Sequence, residues 1–178
     1  MRKNSLVLLW FAILLPLSAL AQSQGGSSPP PELKRTVEAV AGKWSGPMTA
    51  KIPGVAPETF NWTMDCRSVA LGAGASCANE GKASIGLLSE SCLFAYDPDG
   101  KAVHYMCVSS MGEVHDHKGR WKDDKTIEFE PLHAGMMGQQ IIETLKWSFP
   151  DSHTLAKTST VTMPDGSSMV FEFTGKRR

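Results

Sequence analysis

Residues Ser89 to Ser109 read SESCLFAYDPDGKAVHYMCVS, and this stretch decides the fold. At its centre, Asp97-Pro98-Asp99-Gly100 reverses the chain. Proline presets one backbone angle, and Asp-Gly suits the left-handed positions of a tight hairpin. If Asp99-Gly100 is a two-residue turn, Phe94 faces Tyr105, Tyr96 faces Val103, and Cys92 falls directly opposite Cys107. Opposed residues of an antiparallel ladder are close enough for a bridge, so a Cys92–Cys107 disulfide is expected. Cys66 and Cys77 flank Leu71-Gly72-Ala73-Gly74 and would close a second hairpin. Zinc binding is the competing use of four cysteines, but there is no Cys-x-x-Cys pair to supply the ligand spacing. A redox-active pair would need an electropositive setting, and none is apparent locally.

The same alternation extends outward in both directions. Ten strands are predicted, at 44–52, 58–67, 75–81, 89–97, 101–109, 112–121, 126–132, 139–149, 154–163 and 167–176. Turn-forming residues separate them, at Lys122-Asp123-Asp124-Lys125, Pro150-Asp151-Ser152-His153 and Pro164-Asp165-Gly166-Ser167. Such short links join antiparallel neighbours, because a parallel crossover needs about a dozen residues or more. The expected fold class is therefore all-β: an antiparallel meander curled into a β-barrel, which removes exposed strand edges. A short helix precedes it at Glu32 to Ala41, with Leu33, Val37 and Val40 on one face.

Before the barrel lies a segment with the three parts of an export signal. Arg2 and Lys3 are basic, Leu6 to Leu15 are uninterrupted apolar residues, and Ala19-Leu20-Ala21 offers small residues for cleavage after Ala21. The apolar run is about half of the roughly 20 residues needed to span a bilayer. The expected organisation is a signal peptide at 1–21, a flexible spacer at 22–31 (QSQGGSSPPP) and one domain at 32–178. Cleavage would remove Arg2 and Lys3 from the balance of 18 basic and 18 acidic residues, leaving a net charge of −2. No basic stripe is available for nucleic acid. The even cysteine count fits a secreted or periplasmic protein with no membrane partner after cleavage.

Alternation also says which side chains face inward. Phe60, Trp62, Met64 and Cys66 share one face, as do Ile141, Leu145, Trp147 and Phe149, and as do Met169, Phe171 and Phe173. Two charged residues interrupt such rows. Glu143 would stand opposite Val161, and Lys157 opposite Trp147. Either they line a solvated pocket that orients a polar ligand group, or they sit at the barrel mouth with Lys157 draped over Trp147. The mouth is the preferred placement. His115 and His117 alternate on one strand, but with Val114 as the apolar marker their face is expected to be outward. His133 with Met136 and Met137 adds ligands suited to copper. No Gly-x-Ser-x-Gly, His-Glu-x-x-His or phosphate-cradling glycine loop is present, so catalysis is not expected from motifs.

Gly42-Lys43-Trp44 at the first strand and Thr174-Gly175-Lys176-Arg177 at the last resemble the Gly-x-Trp and terminal-arginine arrangement of calycin barrels, the lipocalins and their relatives. The resemblance implies that Trp44 and Arg177 or Lys176 seal one barrel end by a cation–π contact. Over nearly the whole exported part, the chain is also similar to a bacterial family of uncharacterised secreted proteins with a lipocalin-like or nitrobindin-like barrel. The segments that carry this are Ala41-Gly42-Lys43-Trp44-Ser45-Gly46, Phe94-Ala95-Tyr96-Asp97, Lys118-Gly119-Arg120-Trp121-Lys122-Asp123-Asp124 and Phe173-Thr174-Gly175-Lys176-Arg177. Haem-binding relatives place an axial histidine inside the barrel. Here only His104 would reach that position, and only if the fifth-strand register is reversed.

Three functional expectations follow. The first is a binding module holding a small apolar or amphipathic molecule among Trp62, Met64, Tyr96, Tyr105, Trp147 and Phe171, oriented by Glu143 or Lys157. The second is a copper, zinc or haem handling protein using His115, His117, His133 and the methionines. The third is an enzyme with Glu143 as general acid or base, which requires a buried carboxyl of raised pKa.

Overall fold

The computed structural model describes residues 30–136 and 138–178. The expected signal peptide, most of the spacer, and Met137 lie outside the described residues. The elements are α1 (Pro31–Val40), β1 (Gly42–Lys51), β2 (Glu58–Val69), β3 (Gly74–Ala83), β4 (Gly86–Asp97), β5 (Ala102–Ser109), β6 (Val114–Trp121), β7 (Thr126–Phe129), β8 (Leu132–Met136), β9 (Gln139–Asp151), β10 (Thr154–Thr162) and β11 (Ser168–Arg177). Every strand pairing is antiparallel, and ten strands close a barrel while β8 stays outside it, paired with β9 alone.

The expected strand at 126–132 is in fact two. β7 stops at Phe129, and Pro131, which has no N–H to give to a ladder, separates it from β8. β7 pairs with β9 only at Lys146 to Ser148. The earlier half of β9, from Gln139 to Glu143, takes β8 as its partner instead. His133 and its neighbours are thus strand rather than loop.

The hairpin of β4 and β5 has the expected register, but its turn is the four-residue link 98–101 rather than a two-residue Asp99-Gly100 turn, and its left-handed residue is Lys101, not Gly100. Phe94 pairs with Tyr105, Tyr96 with Val103, and Cys92 with Cys107. Both expected disulfides are present, Cys66–Cys77 and Cys92–Cys107. The four cysteines form a continuous row across β2 to β5, because Cys77 also pairs with Cys92, and the row ends on His115 of β6. Two disulfides fit an oxidising compartment. No described helix is long and apolar enough to cross a membrane.

Because neighbouring strands alternate in direction, the links fall into two sets at opposite ends of the barrel. One end carries α1, the links at 70–73, 98–101, 122–125 and 152–153, and the end of β11. Here α1 acts as a lid and buries Leu33, Thr36, Val37 and Val40. The last carbonyls of a helix lack partners within it, and α1 has no basic residue in its last turn. Side chains from the barrel supply what is missing. Trp44 Nε1 donates to Val40 O at 2.8 Å, and Arg177 donates to Ala39 O at 2.9 Å. The Arg177 guanidinium lies over the Trp44 ring, 4.4 Å from its centroid. Arg35 lies 3.9 Å over Trp121 and donates to Asp123 O, which ties the lid to the 122–125 turn. Beneath it, Trp44, Met64, Phe94, Val103, Ile127, Trp147, Leu155 and Phe173 are almost wholly buried and pack this half of the barrel solid.

Candidate binding cavity

The other half is hollow. A cavity of about 450 Å³ opens between the links at 52–57, 84–85 and 110–113. Its walls are mostly apolar, with Trp62, Leu88, Leu145, Val161, Met169 and Phe171 among them. Gly81 gives Trp62 its place: a Cβ there would come within 2.6 Å of the indole Cε3. The strand alternation that fills the lower barrel with large rings places smaller or partly buried side chains here, so the wall does not meet itself across the axis.

Polar groups converge on the inner part of the cavity. His115 and His117 come from β6, Glu143 from β9, Ser159 and Lys157 from β10, Tyr105 from β5 and Glu90 from β4. Ser159 Oγ donates to Glu143 Oε1 at 2.5 Å. Glu143 Oε2 lies 2.9 Å from His115 Nδ1 and 3.4 Å from His117 Nε2. Burial works against ionisation of Glu143, but the two imidazoles and the Ser159 hydroxyl outweigh it and hold the carboxyl below the usual carboxylate range. Contact with Glu143 raises the His115 pKa against the opposing effect of burial. Burial likewise raises Glu113, whose Oε2 is 3.8 Å from His115 Nε2. Lys157 Nζ is 3.8 Å from Glu90 and sits 5.4 Å and 5.8 Å from the centroids of Tyr105 and Trp147. Burial disfavours the Lys157 ammonium, yet the surrounding Glu90, Tyr105 and Glu143 keep it charged, with its pKa above the ordinary lysine value.

Several expected placements need correction. Glu143 and Lys157 are enclosed within the barrel rather than at its rim; Glu90 beside Lys157, and Ser159 with the two histidines around Glu143, make their burial tolerable. His115 and His117 face inward, and Val114, the supposed marker of the inner face, is 74 % exposed. The cause is register. Cys107 points inward and pairs directly with His115, so the two share a face. His133 pairs with the half-exposed Ile142 on the outer face of the sheet and does not join the other histidines. His104 is no interior ligand: its Nδ1 meets Asp116 at 2.9 Å on the outer face.

Of the candidate lining residues, Trp62, Tyr105, Glu143, Lys157 and Phe171 reach the cavity. Met64 and Trp147 belong to the packed half, and Tyr96 lies on the β4 end next to the closed-end turn. Met136 reaches the cavity from β8. The general-acid role expected of Glu143 requires a raised pKa, whereas its pKa is lowered. His115 Nε2 and His117 Nδ1 are buried without a hydrogen-bond partner, and the other nitrogen of each ring is turned to Glu143.

No family profile and no curated protein matches this sequence. The fold is shared with solved structures. Rv2717c from M. tuberculosis is 14 % identical, with a TM-score of 0.66 over 84 % of this chain and 99 % of that one. The S-type phycobiliprotein lyase CPES from Guillardia theta is 12 % identical, with a TM-score of 0.56 over 83 % of this chain and 93 % of that one. At this level of identity, the likeness is one of fold.

Proposed function

We propose that this chain is an exported, disulfide-stapled barrel that binds a small amphipathic molecule through its open end. The observation that carries the proposal is the cavity itself: about 450 Å³, apolar around its walls, with charged and hydrogen-bonding groups gathered on one side. Small-molecule sites have this composition, an apolar enclosure with a few polar groups that fix orientation. The apolar body would lie among Trp62, Leu88, Leu145 and Phe171. An anionic or hydrogen-bonding end would meet Lys157, and the Glu143 cluster would set the limit of insertion. Export is supported by the leader-like residues 1–21 and by two disulfides. Its direct check is the intact mass of the secreted chain, which begins at Gln22 if cleavage follows Ala21.

Titration with 1-anilinonaphthalene-8-sulfonate, an apolar ring system with one anionic group, tests the binding mode. Leu88→Trp narrows the cavity and is expected to weaken dye binding tenfold or more. Leu93→Trp, on the outer face of the same strand, should leave it unchanged. Equal effects from the two substitutions would overturn the proposal. Native mass spectrometry of the gently purified protein then looks for a retained molecule.

A further inference from the structure

We propose that His115, His117 and Glu143 form a binding site for one divalent first-row transition-metal cation of the zinc class, with its open coordination positions facing the cavity. The site is independent of whether an organic molecule enters above it. Two features of the chain create it. His115 and His117 are two residues apart on a strand, so both imidazoles leave the same face of β6. β7, only four residues long, separates β6 from β9 lower in the barrel but ends at Phe129. Above that point β6 and β9 are not hydrogen-bonded to each other, and these three side chains bridge the seam.

The spacing is that of ligands around an ion. Zinc bonds of about 2.0–2.1 Å place neighbouring ligand atoms about 3.0 Å apart in an octahedral arrangement and about 3.4 Å apart in a tetrahedral one. Glu143 Oε2 is 2.9 Å and 3.4 Å from the two imidazole nitrogens, and one ligand atom from each residue lies within 4.8 Å of the others. Despite these short distances, Oε2 receives no well-aligned hydrogen bond from either ring. Its partner oxygen is already taken by Ser159, which fixes the carboxylate. On the far side of His115, Nε2 faces Glu113 at 3.8 Å, within reach of its charge but longer than a hydrogen bond. Charge points the same way. Among the described residues that line the cavity, four are glutamates, Glu58, Glu90, Glu113 and Glu143, and one is a lysine, Lys157, which pairs with Glu90. A dication would relieve that excess in surroundings too apolar to screen it. Two histidines, one carboxylate and open positions suit a borderline cation better than calcium or magnesium, which prefer oxygen ligands.

The test uses untagged protein carrying both disulfides, stripped with chelator and titrated with Zn²⁺ by calorimetry and with Co²⁺ by visible absorption. One ion per chain is expected. His117→Ala and Glu143→Gln should each weaken binding about 100-fold, Glu113→Gln about tenfold, and the outer-face His133→Ala not at all. A readout on the unsubstituted protein covers the case in which the variants fail to fold. Zn²⁺ should shift the imidazole resonances of His115 and His117 in a nitrogen–proton spectrum while leaving His104, His133 and His153 in place. Absence of one-to-one binding, or binding that follows His133 or moves the other three resonances instead, would overturn the site.

Discussion

The two ends of this barrel are made by the same strands yet differ in nearly every physical respect. At the closed end, a helix covers the opening, its last carbonyls are capped by Trp44 and Arg177, and the interior rings are almost wholly buried. At the open end no described element covers the tips. Val55 and Ile85 stand 63 % and 72 % exposed, and Met111 joins them at the cavity entrance. The difference lies in what the inward positions carry. Along β9, Trp147 and Phe149 fill the closed half, and Glu143, two inward positions earlier than Trp147, faces the hollow. Strand geometry sets which residues point inward; their size and polarity set whether the interior is packed or open. Close packing supplies stability, and the end that gives it up is the one able to take a ligand.

The largest test of that contrast is a matched pair of aromatic truncations. Trp44→Ala removes a buried indole, its hydrogen bond to Val40 and the support of Arg177, and is expected to cost about 3–5 kcal/mol in urea unfolding. Phe171→Ala enlarges a space that already exists beside a partly buried ring, and should cost no more than about 2 kcal/mol. Equal losses would mean that the open end is packed as tightly as the closed one.

Much of this architecture was legible in the residues. Asp97-Pro98-Asp99-Gly100 fixed one register, the opposition of Cys92 and Cys107 followed, and alternation assigned the large aromatic rings to the interior. The site was less legible, for two reasons. The inward direction of His115 depends on the β5–β6 register, and the link at 110–113 has no turn motif that selects one. Val114 then pointed the wrong way, because an exposed valine on a strand carries the same pattern as a buried one. The break between β7 and β8 was the second obstacle: the seam that brings Glu143 to the histidines exists because β7 is short, and strand length is poorly marked in sequence. Once the β5–β6 register is known, the inward Cys107 places His115 on the inner face.

The disulfides sharpen the comparison next, since they staple different levels. Cys66–Cys77 links β2 to β3 within the packed core, whereas Cys107 also borders the cavity. The closed segments are of similar length, with separations of 11 and 15 residues, so each bridge should contribute about 3 kcal/mol through the unfolded chain. Replacing either pair with serines is therefore expected to lower the urea midpoint by a similar amount. Only the Cys92→Ser/Cys107→Ser protein should also change affinity for the anilinonaphthalene dye. A change in affinity confined to the other pair would reverse the assignment of levels.

A smaller effect separates binding from stability at the two rims. Ile85 at the open end and Leu71 at the closed end are both exposed, so Ile85→Glu and Leu71→Glu should each shift stability by no more than about 0.5 kcal/mol. Ile85→Glu brings a negative charge to the entrance and should weaken binding of the anionic dye several-fold, while Leu71→Glu should not alter it. Matching dye affinities would show that the ligand does not enter between the tips.

Among the turn carboxylates, acid bears mostly on the closed end, whereas the buried Glu143 is the depressed carboxyl of the open half. Asp97, Asp123 and Asp151 occupy closed-end turns, where backbone N–H groups at Gly100, Lys125 and His153 chiefly hold their carboxyls below the ordinary value of 3.8. The corresponding open-end turn has Asp165, lowered first by the Ser167 hydroxyl. A carboxyl whose folded pKa is depressed contributes stability above its unfolded pKa and loses it as pH falls through the folded value. Asp123, Asp151 and Asp165 are solvent-exposed and Asp97 is half-buried, so each contribution is small and screened by salt. Protonation of these turn carboxylates between about pH 5 and about pH 2 should therefore lower the melting temperature slightly, in addition to the stability lost as Glu143 in the open half is protonated. The amides of Lys125 and His153, which donate to Asp123 and Asp151 at 2.7 Å and 2.8 Å, should shift with midpoints below 3.8 in an NMR titration. Midpoints at or above 3.8 would show that these turns are not braced by their carboxylates. The rigidity of the closed end would then rest on the helix lid and the Trp44–Arg177 stack alone.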